Sequence, residues 1–328
     1  MEHTKFITFN QLPLYTDDFF MRHLDVLAKK DALVIHNPPD AIVISPTFLK
    51  SRKSLNEHIA YIQSNNIKKA IVVAEDIQFL SECPGLEYLW VLPAMGAKVF
   101  DYSPVYELPN IKWLRCDTLT GINEEQVASV DYSKFKELRR LSIHGYKGHH
   151  NVEQALKVTS LILDFGYPNS TNLQNSFSGK ALQNLAVCQS PIISLAGIEV
   201  ARHLHRLELS FNRKLVDISS LQNLRETLAY LEIDTCGKIK DFSVLETLYN
   251  LEYLILKGSN TLPDLSFLKN MPKLRYLHLT MNVLDGDMSL CELLPYARIQ
   301  NRKHYSHKDN DLPKCYSDPD ESYPFGEV

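Results

Sequence analysis

The chain has 328 residues, 35 basic and 39 acidic side chains, a net charge of −4 and 45% hydrophobic residues, which is the make-up of a folded chain rather than a disordered one. No apolar run reaches the roughly 18 residues needed to cross a bilayer, so no membrane span is expected. Near-balanced charge also argues against a general nucleic-acid binder, whose affinity comes from neutralising phosphates. The opening MEHTKFITFNQLPLYTDDFF has no basic segment followed by a long apolar one, so a secretory signal is not expected and a cytoplasmic location is. Six cysteines at long, irregular spacings, with no C-x-x-C pair, read as reduced thiols, several of them buried as small hydrophobes.

In chain order, residues 1–66 are expected to form an α/β cap. KFITFN, ALVIHN and AIVIS read as strands. DDFFMRHLDVLAKK reads as an amphipathic helix with Phe19, Leu24 and Leu27 near one face. SLNEHIAYIQSNN reads as a second helix, with Ser54 and Glu57 as a capping box. Neither a phosphate-binding glycine loop nor a dinucleotide fingerprint is present in this stretch.

From there to residue 308 the sequence repeats. LHRLELSFN, LAYLEIDTC, LEYLILKGS and LRYLHLTMN start at Leu204, Leu228, Leu251 and Leu274, at offsets of 24, 23 and 23 residues. Each reads L-x-x-L-x-L-x-x-(N/C/S), with Asn212, Cys236, Ser259 and Asn282 last. The alternating leucines place one face of a short strand against a core that only stacked neighbours complete. A polar final residue suits a turn where side chains bond to backbone. Upstream, frames starting at Leu182, Val158, Leu138, Ile111 and Leu86 keep the strand spacing, and a ragged one starts at Ile67. About nine units therefore run from Leu86 to Pro295. Asp217, Asp241 and Asp264 recur once per repeat and read as turn and helix-start residues rather than as a catalytic set. Ser219 with Gln222, Ser243 with Glu246 and Ser289 with Glu292 match capping boxes, which predicts one short helical turn per repeat.

This pattern resembles the short-repeat bacterial leucine-rich repeat proteins of the internalin and Sds22-like type, closely over 204–295, more loosely over 86–203 and not at all over the first 65 residues. The resemblance implies an α/β leucine-rich repeat solenoid, a curved horseshoe with parallel strands on its concave face, which binds a protein without catalysis of its own. Three segments follow: an α/β cap over 1–66, a solenoid with its C-terminal cap over 67–308, and a flexible polar tail over 309–328.

Outward strand positions line the concave face, where repeat proteins commonly bind partners. Both tryptophans, Trp90 and Trp113, fall there as exposed positions, with Arg115 beside them. Tyr230, Tyr253 and Tyr276 form one column, next to Arg206, Glu208, Glu232, Asp234 and His278. Tyrosine and tryptophan are enriched at binding hot spots, although stacked tyrosines can also simply cover one another as a ladder. The acidic group favours a basic partner. The chain is expected to act as a monomer, with no cofactor.

No residue stands out as catalytic, because no serine or cysteine has a nucleophile context. His149–His150 is placed in a loop. His304 and His307 with Cys315 lack a fourth ligand, so no metal site is expected. The alternative is an enzyme or effector whose activity resides in the N-terminal segment, with the repeats as its recognition module.

Overall fold

The computed structural model describes residues 41–44, 54–93, 100–117, 129–145 and 147–315. The strands expected at KFITFN and ALVIHN, the helix around Phe19, Leu24 and Leu27, and residues 316–328 of the tail lie outside the described residues. The chain divides into two compact units, one ending at Lys157 and the other beginning at Val158.

The first unit is built on parallel strands. β1 (Ala41–Ile44) is followed by helix α1 (Leu55–Ser64), and β2 (Lys69–Ala74) then pairs parallel with β1. Helix α1 starts on the expected capping box: the Glu57 N–H donates to Ser54 Oγ at 3.3 Å, and the Ser54 N–H donates to Glu57 Oε2 at 2.6 Å. His58, Ile59 and Ile62 form its buried side. β3 (Tyr88–Pro93) and β4 (Trp113–Asp117) extend the sheet. Two-residue β5 (Val130–Asp131) precedes β6 (Arg140–His144), which pairs with β4, and β7 (His149–His150) pairs with β5. The histidine pair expected in a loop is thus a short strand.

The second unit stacks β8 (Ser160–Asp164), β9 (Asn184–Cys188), β10 (Arg206–Ser210), β11 (Tyr230–Asp234) and β12 (Tyr253–Lys257) in parallel. Short β13 (Thr261–Leu262) precedes β14 (Tyr276–Leu279), which continues the sheet, and β15 (Asn282–Val283) pairs with β13. The last strand, β16 (Tyr296–Ile299), lies beyond the expected end of the array and pairs with β14. Its segment, Leu-Pro-Tyr-Ala-Arg-Ile, is a repeat frame in which Ala297 and Ile299 replace the second and third leucines.

The register is the one the leucine spacing demands. Leu207, Leu231, Leu254 and Leu277 align across four strands and are sealed from solvent, as are Leu209, Ile233, Leu256 and Leu279. Each such side chain contributes about 1.5–3 kcal/mol by leaving water. The carbonyl just before each of β8 to β12 accepts two bonds from the next repeat: His205 O takes the N–H groups of Ala229 and Tyr230, both at 2.9 Å.

Each strand of the second unit is followed by a turn and, in most repeats, a 3-10 segment such as Ser219–Leu224, Ser243–Thr247 or Ser266–Asn270. The capping boxes expected at Ser219, Ser243 and Ser289 do not form. The serine is the first residue of the helical turn, so its hydroxyl is too far along the chain to cap it. The aspartate two residues earlier does this work: Asp217, Asp241, Asp264 and Asp287 accept from the N–H groups of Ser219, Ser243, Ser266 and Ser289 at 2.7–2.9 Å. The same Asp-x-Ser bond occurs in the first unit at Asp101–Ser103 and Asp131–Ser133. Hydrogen bonds from the serines hold the carboxyls of Asp241, Asp264 and Asp287 below the ordinary carboxylate range.

The final polar position is only partly as expected. Asn212 is fully buried, donates to Val187 O at 2.8 Å and accepts from the Ser190 N–H at 3.0 Å, which ties its repeat to the preceding one. Cys236 sits in the next equivalent slot, its thiol 3.5 Å from Leu209 O. Ser259 is instead exposed, and Asn260 takes the slot, donating to Cys236 O and Ile239 O. Asn282 is half-buried in β15.

The C-terminal cap extends past the expected boundary at residue 308. Tyr305 is buried, accepting from the Val283 N–H at 2.9 Å and donating to Met281 O at 3.2 Å. Asp309–Asp311 form a 3-10 turn in which Asp309 accepts from the Ile299 N–H, and Lys314 bridges back to Tyr296. Residues 309–315 therefore contact β16. Five cysteines are buried, and Cys315 is exposed. Among the described residues, no helix is long and apolar enough to cross a membrane.

Candidate protein-binding face

Strand alternation sends every second side chain away from the leucine core, and the parallel register lines these up in columns. In the second unit one column runs Asn184, Arg206, Tyr230, Tyr253, Tyr276 and Tyr296. Beside it run Glu208, Glu232, Ile255 and His278.

The tyrosines form a ladder. Ring centroids are 6.1 Å apart from Tyr230 to Tyr253 and again from Tyr253 to Tyr276, and Tyr276 and Tyr296 stack at 4.7 Å with planes 2° apart. Tyr230, Tyr253 and Tyr276 are no more than 5% exposed and form a separate apolar cluster with Ile255. Of the two readings of this column, contact residues or a ladder whose rings cover one another, the packing is that of the ladder. Strands about 4.8 Å apart bring large flat side chains close enough to cover one another.

The charged residues around the ladder are bound to one another. The Arg206 guanidinium lies over the Tyr230 ring, 3.8 Å from its centroid, and Arg206 Nε donates to Glu208 Oε1 at 2.5 Å. Arg206 and Glu208 are buried, so neither matches its expected open position. The Tyr230 hydroxyl donates to Glu232 Oε2 at 2.9 Å, and Lys257 Nζ holds Glu232 Oε1 at 2.9 Å. Burial, and then the Glu232 charge, push the Tyr230 phenol well above its usual range, so it stays a neutral donor. Glu232, Asp234, Lys257 and His278 keep partial exposure on this face, and Arg298, in register with His278, is exposed.

In the first unit the expected pair of exposed tryptophans is also altered. Trp90 is buried at 8% exposure beneath the Arg115 guanidinium, 4.3 Å from the ring, and its indole N–H donates to Asp117 Oδ2 at 3.3 Å. Arg115 Nε closes the set on Asp117 Oδ1 at 2.9 Å. Trp113 remains half-buried, in register with Tyr88 on the neighbouring strand.

The histidines have other partners than a metal. His149 accepts from the Tyr132 hydroxyl at Nδ1 (2.9 Å) and donates from Nε2 to His144 O (3.2 Å). Its ring is enclosed although the residue keeps some exposure, and burial lowers its pKa to about 4. His304 Nε2 donates to Val283 O at 2.9 Å, and His307 meets Glu292 at 2.9 Å. Among the described residues no group of three or more His, Cys, Asp or Glu side chains gathers as a metal-binding cluster.

No family model matches the sequence, and neither does any curated protein. In structure the chain is similar to an internalin from Listeria monocytogenes, with a TM-score of 0.51 and 20% identity over 73% of this chain and 69% of that one. It is also similar to a chain of the Toll–Spatzle complex of Drosophila, with a TM-score of 0.51 and 15% identity over 80% of this chain and 40% of that one. Together with the register and the buried leucine columns, these likenesses give the chain a leucine-rich repeat fold.

Proposed function

We propose that the chain is a non-catalytic scaffold that binds a folded protein on the strand face opposite its leucine core, within the cytoplasm, as a regulatory or immunity-type protein of a bacterium. The observation that carries this reading is the half-exposed set of Glu232, Asp234, Lys257 and His278, fixed on adjacent strands over a buried aromatic floor. Groups held in place beforehand lose little freedom on binding. The tyrosines and the Arg206–Glu208 pair act here as the platform that orients Glu232, while Trp113 and Arg115 supply contacts on the first unit. Glu232 and Asp234 favour a partner with a basic surface through electrostatic steering. A chain of this fold also appears in the Toll–Spatzle complex, which is an assembly with a protein.

The test is affinity capture from the source cell with the wild-type chain and with Asp234→Lys and His278→Glu. Loss of one specific captured protein in both variants supports the reading. Undiminished capture by both contradicts it.

A further inference from the structure

A different surface of the second unit also has the make-up of an interface. Where the chain leaves β10 it turns through Phe211, whose φ of 55° is left-handed and whose side chain is 42% exposed. The same position is Thr235 in the next repeat and Gly258 in the one after, so the turn does not require an aromatic ring. A bulky side chain held in a conformation that suits glycine, and left facing water, points to a role outside the fold.

The surroundings of Phe211 give that role a chemistry. A cavity of about 400 Å³ opens between Gly166, Gln189 and Pro191 on one wall and Phe211, Arg213 and Lys214 on the other. On the same turns Ile193 and Val216 are 44% and 45% exposed and adjacent, the Val216 N–H donating to Ile193 O at 2.9 Å. Lys238 occupies in the next repeat the position that Lys214 holds in its own, and all three cations are exposed. The carboxylates of Asp217 and Asp241 are engaged by the N–H groups of Ser219 and Ser243, and that of Asp234, whose backbone carbonyl accepts from the Phe211 N–H, is engaged by the Thr235 hydroxyl. An apolar patch edged by cations complements an apolar side chain flanked by carboxylates.

We propose that this turn surface is a second docking site, which takes an acidic protein segment bearing an aromatic side chain. The aromatic ring enters the cavity against Phe211 and Pro191, and the flanking carboxylates meet Arg213, Lys214 and Lys238. The charge preference is opposite to that of the strand face, so the two surfaces select different partners.

The experiment is fluorescence anisotropy on the full chain with a labelled peptide of aspartates and glutamates around one phenylalanine, beside a copy carrying alanine in its place. Saturable binding of the phenylalanine peptide is expected. It should weaken about tenfold or more in Arg213→Glu/Lys214→Glu and in Phe211→Gly. Phe211→Gly relaxes the backbone, and circular dichroism confirms that each variant is folded. Absence of saturable binding overturns the proposal, as does equal binding by wild type and these variants. Binding of the alanine peptide as tight as that of the phenylalanine peptide also overturns it, because the attraction would then be charge alone.

Discussion

Arg206 lies over Tyr230 and holds Glu208 at the same time, with its guanidinium carbon 3.8 Å from the ring centroid and its Nε 2.5 Å from the carboxylate. Both charged groups are buried, at 5% and 4% exposure. Removing one partner leaves the other as a buried charge with less compensation, so Arg206→Met is expected to cost about 3 kcal/mol of stability. Arg206→Met combined with Glu208→Leu is expected to recover a large part of that loss. Denaturant unfolding of the two single variants and the double variant measures the coupling, and strictly additive costs would show that the pair does not act as a unit.

Two glycines in neighbouring repeats should respond in opposite directions. Gly258 has a φ of 124°, and a Cβ there would lie 3.2 Å from Thr235 N, so Gly258→Ala is expected to destabilise the chain by about 1–2 kcal/mol. Gly237 lies outside the left-handed region, and a Cβ there meets only Ser259 Oγ at 3.7 Å. Gly237→Ala is therefore expected to stabilise by about 0.5 kcal/mol through the unfolded chain. Thermal unfolding separates the two.

His149 supplies a pH dependence. Burial lowers its pKa to about 4, outweighing the His144 carbonyl and the Asp117 charge, which both act in the other direction. The unfolded chain therefore takes up this proton near pH 6.5 while the folded chain does not. The contribution is fully present above about pH 6.5 and is lost as the pH falls towards 4. His149→Gln should flatten the dependence of stability on pH across that window by close to one proton, and an unchanged slope would contradict the assignment.

Thiol reactivity should be confined to one residue. Burial raises the pKa of Cys83 and Cys236 to about 11 and that of Cys291 to about 12, and it also holds the Cys116 thiol well above its ordinary range. Cys188 is buried as well, and Cys315 is exposed. A thiol reagent at neutral pH is expected to label Cys315 in the folded chain and the other five only on unfolding.

Much of this arrangement could be read from the sequence because leucine spacing fixes which side of a strand faces the core, and stacking then fixes the register. The strands at Tyr88, Trp113, Arg140, Ser160 and Asn184 follow from that rule even where the repeats are irregular. β16 escaped it because Ala297 and Ile299 stand where leucines do in the other frames. The shift from Ser259 to Asn260 was hidden by an added residue in the turn, and the capping role of the aspartates by the similar look of a Ser-x-x-Glu motif. Crowding on the outer face was only partly legible, as the alternative of a ladder of stacked tyrosines. Alternation shows that Trp90 and Tyr253 point away from the leucines, but not that Arg115 and the neighbouring tyrosines cover them. The Phe211 surface was missed because its residues lie in turns rather than in the strand columns.

The most direct test of the strand face as the binding surface is amide hydrogen exchange on the chain, alone and with its captured partner. The expected result is added protection at β11, β12 and β14, around Asp234, Lys257 and His278, and its loss when Asp234→Lys is used instead. Protection confined to the 3-10 turns or to the Phe211 surface, with the strands unchanged, would contradict the assignment of the strand face.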